Sequence, residues 1–134
     1  MLTALLQAHS ALRYLVLAAG LVGTVFPLVY VVAKRPYDRG LRIACSSFAG
    51  LLHLQVLLGL VVVMTGRFSP MLIGHIFMMF AAAAVVQIPL SVMRRRQPEE
   101  RTAMPHLIAG IVTMALIWGG IAAIGRGILD QTFF

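Results

Sequence analysis

The sequence is poor in cysteine, in charged residues and above all in acidic residues. Its 134 residues include one cysteine and four acidic residues, and only 11% are charged. With Cys45 alone, the chain has no disulfide framework, no iron–sulfur ligand set and no Cys-x-x-Cys-His site for covalent haem. The N-terminus lacks the basic segment of a secretory signal peptide, and its apolar stretch is longer than a signal-peptide core. We therefore expect this stretch to be a retained membrane span.

Apolar residues dominate the remainder. They make up 60% of the chain, and the mean hydropathy is +0.95. A soluble domain of this size could not bury so much apolar surface, so the expected solvent is lipid. The net charge of +7 would favour nucleic-acid binding in a soluble protein. Here basic residues cluster between apolar segments, where they set membrane topology, and we expect no nucleic-acid partner.

Four apolar stretches are long enough to cross a membrane, which takes about 20 residues in a helix. They run approximately over residues 3–33, 41–65, 70–93 and 102–125. The connections are too short for anything but antiparallel neighbours. The sequence thus predicts one all-α domain over residues 1–134, an integral membrane four-helix bundle with up-down-up-down topology. Pro27 and Pro89 are expected to bend the first and third helices.

The basic residues are distributed unevenly between the connections. The residues that flank the first connection are Lys34, Arg35, Arg39 and Arg42, and those that flank the third are Arg94, Arg95, Arg96 and Arg101. The second connection has only Arg67, and the C-terminal tail has only Arg126. The positive-inside rule then places the first and third connections in the cytoplasm and both termini outside. We expect a multi-pass protein of the bacterial cytoplasmic (inner) membrane.

Each apolar segment contains one histidine, and no histidine lies elsewhere. The four are His9, His53, His75 and His106. An imidazole in hydrocarbon needs a hydrogen-bond partner or a metal, and ionisable groups within spans are candidates for function. Facing histidines in a membrane bundle are an arrangement that holds haem. All four are candidate metal ligands, with one or two b-type haems as the cofactor.

The depth of each histidine predicts which pairs share a haem. At about 1.5 Å per residue, His9 and His75 lie at nearly the same level near the outer ends of the first and third helices. These helices are diagonal in an antiparallel bundle, so the two imidazoles could clamp a planar macrocycle. The alternative is two core histidines that bond to backbone carbonyls or hydroxyls across helices.

The second diagonal is less regular. His53 and His106 differ in depth by about seven residues, or about 10 Å along the axis. They could hold a second haem if helix tilt absorbs the offset. Alternatively, His53 pairs with an outer histidine and His106 is a polar anchor at the headgroup boundary. The small residues near the two histidines predict a recess for a haem or close helix packing; they are Ser46, Ala49, Gly50, Ala109, Gly110 and Thr113.

Arg13 follows His9 by four positions, so it lies on the same helix face one turn deeper. No carboxylate lies within any span to pair with it. A haem propionate would suit the guanidinium, and a lipid phosphate, a backbone carbonyl or another subunit are alternatives.

Gln55 and Gln87 are expected to bond across helices, with a quinone contact as the alternative. Met78 and Met79 are expected mainly to pack.

Three segments resemble a family of small bacterial four-helix membrane proteins described as cytochrome-b-like. They are HSALRYLVL at 9–17, HLQVLLG at 53–59 and HIFMM at 75–79, and a histidine at the start of the fourth helix extends the resemblance. The resemblance implies b-type haem held by the four histidines, with Arg13 as an accompanying residue. The chain departs from the pattern at Tyr14, at Gly74 and in the short connection at Arg67.

These observations favour an electron-transfer cytochrome rather than a stand-alone enzyme, since bis-histidine iron has no free coordination site. It would be a subunit or anchor of a larger redox complex, such as a respiratory chain or photosynthetic complex, with lipid, other subunits and a quinone as partners. One alternative is a membrane assembly subunit that binds chlorophyll or no cofactor. Another is a small transporter. All four acidic residues, Asp38, Glu99, Glu100 and Asp130, lie in connections or the tail. Their absence from the spans argues against a transporter.

Overall fold

The computed structural model describes residues 2–66 and 68–125, so Arg67, Arg126 and Asp130 lie outside the described residues. Within these ranges the regular structure is entirely helical. The four long helices are α1 (Leu2–Val32), α2 (Arg39–Met64), α3 (Ile73–Arg95) and α4 (Met104–Ala122). Single 3₁₀ turns, Pro70–Leu72 and Pro98–Glu100, precede α3 and α4.

The helix ends agree with the predicted spans to within three residues. The largest differences are at the start of α3, where Pro70 opens a separate 3₁₀ turn, and at the end of α4. Pro27 and Pro89 each lie inside a continuous helix, and both are buried. All four long helices, within the ranges described, are long and apolar enough to cross a membrane.

Two local motifs define the turn between α1 and α2. Lys34 has φ +54°, and the N–H groups of Lys34 and Arg35 donate to the carbonyls of Val31 and Tyr30, which is a Schellman motif. Asp38 then caps α2: its Oδ1 accepts from the Leu41 N–H at 3.0 Å and from the Tyr30 hydroxyl at 2.6 Å. The bond from Tyr30, and to a smaller extent that from Leu41, holds the pKa of the Asp38 carboxyl below its usual value.

The helices pack in a ring. α1 contacts α2 and α4, and α3 contacts α4 and α2, so α1 lies diagonally opposite α3. Phe48 is the largest of the fully buried side chains, and it packs against α1 at Gly20 and Gly23, where β-carbons would meet its ring. Of the neighbouring pairs, α2 and α3 pack least closely. The outside of the ring is rich in exposed apolar side chains such as Phe77 and Leu21.

Candidate functional site between the first and third helices

A cavity of about 110 Å³ lies inside the ring, near the starts of α1 and α3 and the ends of α2 and α4. Its polar wall consists of His9 and Arg13 of α1, Gln55 of α2 and His75 of α3, and nearly all of its other lining residues are apolar. His9 and His75 therefore reach one cavity from diagonal helices, as their depths predict.

His75 is oriented by the end of α4. Its Nδ1 lies 2.9 Å from the carbonyl oxygen of Gly120, and since a carbonyl only accepts, Nδ1 carries the hydrogen. Gly120 belongs to the last turn of α4, where carbonyls lack partners within the helix. The lone pair of the neutral ring is then on Nε2. A bond from Nδ1–H to a backbone carbonyl of another helix is what the alternative prediction gives for a core histidine, and histidines that bind metals commonly make the same bond.

A side chain at position 120 would displace the end of Met79, which packs against this glycine. A β-carbon on Gly120 would lie 2.5 Å from the terminal methyl of Met79, 3.3 Å from Cβ of Met78 and 3.6 Å from Nδ1 of His75. The Sδ atom of Met78 packs in the same way against Gly119. The predicted packing role of the two methionines is thus confirmed at the α3–α4 contact, and Met79 also lines the cavity.

His9 is held between α1 and α2. The Gln55 side chain donates from Nε2 to the backbone carbonyl of His9 at 2.8 Å, so the predicted bond across helices is confirmed for Gln55. The His9 ring packs over Gly59, with Cε1 3.0 Å from the position of a β-carbon there. His9 Nδ1 and Gln55 Oε1 are buried and have no hydrogen-bond partner among the described residues. Each atom needs a partner that the described residues do not supply.

Arg13 is only 6% exposed, although it is a cation. Its Nη2 donates to the Tyr14 hydroxyl at 3.0 Å, and the guanidinium carbon lies 4.8 Å from the centre of the Tyr14 ring. Nε and Nη1 are buried without a partner in the part of the chain that the structure describes, which also supplies no carboxylate or carbonyl to them. An uncompensated charge at this depth is costly, so the cavity wall favours an anionic group.

His53 lies elsewhere. It is exposed on the outside of the ring, where its Nε2 is 3.0 Å from Oε1 of Gln87 on α3. Gln87 also donates from Nε2 to Ser91 at 3.1 Å. Gln87 therefore bonds across helices as predicted, but with the histidine that was expected to share a haem.

His106 forms a different pair. It is 3% exposed, its Nε2 lies 2.9 Å from the Tyr37 hydroxyl, and the two ring centres are 5.6 Å apart. The structure does not bring His106 together with His53. Burial raises the pKa of Tyr37 above its ordinary value. Sequence reasoning missed Tyr37, an aromatic residue in a charged loop that carries no periodic signal.

The expected recess beside His106 is not present at Gly110. A β-carbon there would lie 2.8 Å from Oγ1 of Thr24 and 3.3 Å from the backbone oxygen of Gly23. The glycine allows α4 to approach α1 closely, which is the packing alternative for small residues. Beside His53, in contrast, a β-carbon on Gly50 would meet no atom within 4 Å.

The side chains that line the cavity are suitable for binding a haem, but the cavity is too small for one. Two imidazoles and an unpaired guanidinium are suitable ligands for iron and a propionate. Cofactor sites usually have volumes of about 300–1,000 Å³, so the cavity would have to widen to hold a macrocycle. In the described ranges no three His, Cys, Asp or Glu side chains are grouped to hold a metal ion, whereas bis-histidine iron needs two protein ligands.

The chain matches no family model, no curated protein and no solved structure in comparisons with known proteins. Its resemblance to the cytochrome-b-like family therefore stays a prediction from the motifs at 9–17, 53–59 and 75–79.

Proposed function

We propose that this protein is a membrane cytochrome that transfers electrons through a b-type haem held between α1 and α3. The observation that carries the proposal is that His9, His75 and an arginine with two partnerless nitrogens, Arg13, line one cavity between diagonal helices. His75 and His9 would be the iron ligands, and Arg13 would bind a propionate. His53 and His106 are not needed for this site.

The protein's residues would perform three tasks. The Gly120 carbonyl would hold the His75 ring in the tautomer that presents Nε2, and Gly59 would leave room for His9. The apolar wall would exclude water and keep the dielectric low. When bound, a b-type haem supplies reversible one-electron chemistry, and two histidine ligands leave no coordination site for oxygen. Such a site transfers electrons and does not activate oxygen.

The placement in a bacterial cytoplasmic membrane is part of the same proposal. The contact between Tyr37 and His106 brings the α1–α2 connection beside the start of α4, so both lie on the same side of the bundle. The two connections rich in basic residues would then lie together on the cytoplasmic side of an up-down-up-down bundle, with both termini outside. The connections between the four helices are short, so electron donors and acceptors would come from other subunits of a redox complex.

The direct test is the colour of the purified protein. Protein expressed in haem-sufficient cells should be red, with a sharp Soret band and split alpha and beta bands after dithionite reduction. A pyridine haemochrome assay should give one haem per chain if the α1–α3 cavity is the haem site. A colourless and fully folded preparation would overturn the proposal.

A further inference from the structure

Three polar side chains form a chain of hydrogen bonds on the outside of the ring, in the groove between α2 and α3. The exposed His53 bonds through Nε2 to Oε1 of Gln87 at 3.0 Å, and Gln87 donates from Nε2 to Oγ of Ser91 at 3.1 Å. None of the three lines the cavity of His9 and His75. The haem proposal therefore leaves them without a role.

The direction of these bonds defines what the chain can bind. Because Oε1 of Gln87 only accepts, Nε2 of His53 carries the hydrogen, and the neutral ring has its lone pair on Nδ1. The Ser91 hydroxyl accepts from Gln87 and still has its own hydrogen to donate. If the Gln87 amide turns over, every bond reverses, and His53 Nδ1 becomes a donor. The chain can thus accept a hydrogen bond in one state and donate one in the other.

The surface beside the chain is open. Gly50 lies one turn before His53 on α2, it is exposed, and a β-carbon there would meet no atom within 4 Å. Ala84 lies one turn before Gln87 on α3 and is also exposed. The small residues leave room on both sides of the histidine–glutamine pair.

Depth restricts the occupant. His53 is 14 residues after Arg39 and 11 before Met64, so it lies about 16 Å or more from either end of α2. In a membrane, water and lipid headgroups do not reach this level, where an unsatisfied polar group is costly. An occupant at this level has to dissolve in hydrocarbon, and the two states of the polar chain suit one that donates in one form and accepts in another. A hydroquinone donates through its hydroxyls, and the matching quinone accepts through its carbonyls.

We propose that the α2–α3 groove binds the ring of a membrane quinone, with one ring oxygen bonded to Nδ1 of His53. The groove continues to the cavity, because Leu60 and Phe80 lie two turns from His53 and Gln87 along their helices and are exposed lining residues of the cavity. The quinone ring would therefore lie beside the His9–His75 site. Binding in this groove goes beyond the haem proposal and stands without it.

The test is photolabelling with an azido derivative of a short-chain ubiquinone, in phosphatidylcholine nanodiscs that hold the full chain. Mass spectrometry should place the label on α2 and α3 around residues 50–57 and 84–91, in competition with unlabelled short-chain ubiquinone. His53→Leu should weaken the competing quinone's affinity about tenfold, which corresponds to one lost hydrogen bond of about 1.4 kcal/mol. Gly50→Leu, which puts a bulky side chain on the open surface beside His53 without altering a polar atom, should also reduce the labelling.

Ile108→Leu, on the exposed face of α4, is the matched control and should label as the parent does. His75→Ala should lose haem but keep the quinone label, which separates this proposal from the haem proposal. Equal labelling on all four helices, or labelling that is unchanged in both His53→Leu and Gly50→Leu, would overturn the inference. So would rapid disulfide dimerisation of Gly50→Cys in dilute detergent, because a second copy would then cover the groove.

Discussion

The imidazole of His9 lies directly over Gly59, with its Cε1 atom 3.0 Å from the position that a β-carbon on residue 59 would occupy. The ring is therefore supported by the bare backbone of α2 on one side, while its Nδ1 has no partner among the described residues. Position 59 controls where this imidazole can go. A larger side chain there would push the ring out of its place on the cavity wall.

We predict that Gly59→Leu lowers the haem content of the purified protein. Overpacking of a filled site costs about 1–3 kcal/mol, and the ring of His9 is the nearest group that can move. The measurement is Soret absorbance per mole of protein after purification with added haem. Gly50→Ala is the matched control on the same helix, since its β-carbon meets nothing. A Gly59→Leu protein that retained full haem content would contradict the assignment of His9.

We predict that His75→Ala and His9→Ala each abolish the low-spin spectrum, because each removes an axial ligand. His106→Ala and His53→Ala should retain it, since the first histidine bonds to Tyr37 and the second lies outside the ring. The measurement is a redox titration followed by absorbance in the alpha band. If His53→Ala or His106→Ala lost the signal while His75→Ala kept it, the assignment of the cavity would be wrong.

We predict that Arg13→Met lowers the reduction potential of the haem-bound protein and stabilises the haem-free protein. In the haem-bound protein the reduction potential should fall by tens of millivolts, because loss of a positive charge disfavours the more electron-rich ferrous state and about 59 mV is a tenfold change. In the haem-free protein the same change should raise the midpoint of denaturant unfolding, since it removes an unpaired buried charge. Destabilisation of the haem-free protein would show that Arg13 has a structural role instead.

We predict that Tyr37→Phe weakens the fold at the loop end of α4. It leaves Nε2 of His106 buried without a partner, which costs about 1–3 kcal/mol at neutral pH. Above pH about 10 the parent should lose stability, because the unfolded chain releases the Tyr37 proton while burial still raises the pKa of the folded tyrosine. Below that pH both states keep the proton, and this tyrosine adds no slope.

The check is thermal unfolding of parent and Tyr37→Phe between pH 7 and 11, in the same detergent. The stability difference between the two proteins should be constant up to pH about 10 and should shrink above it. A difference that grows in alkali would contradict the role assigned to burial. The Soret spectrum should not change, because Tyr37 is not a lining residue of the cavity.

We predict the membrane orientation from the basic residues of the connections. A reporter that is active only in the periplasm should work when fused after Phe134, and one that is active only in the cytoplasm should work when inserted near Pro98. If the cytoplasmic reporter worked after Phe134 and the periplasmic reporter worked near Pro98, the loop charges would not set the topology of this chain.

The helix ends and the levels of His9 and His75 could be predicted because they depend on local properties. Apolar length sets where a span begins, and the rise per residue converts position into depth. The rotation of each helix about its axis could not be predicted. A helix that is apolar on every side has no amphipathic stripe to show which face turns inward, so His53 could be expected in the core although it lies outside.

Contacts between distant segments were equally beyond prediction. The bond between Tyr37 and His106 joins residues 69 apart, through a loop whose path depends on the Schellman turn at Lys34 and the cap at Asp38. Nor does sequence distinguish a glycine that faces open space from one that admits a neighbouring helix. Gly50 and Gly110 have the same chemistry and opposite surroundings.

The bond between His75 and Gly120 also links the imidazole mechanically to the C-terminal end of α4. Unwinding of the last turn of α4 would remove the carbonyl that fixes the ring, and the ring could then rotate about its χ2 bond. A molecule that bound the residues just after Ala122 and changed the winding of this turn would therefore also change the orientation of the His75 ring.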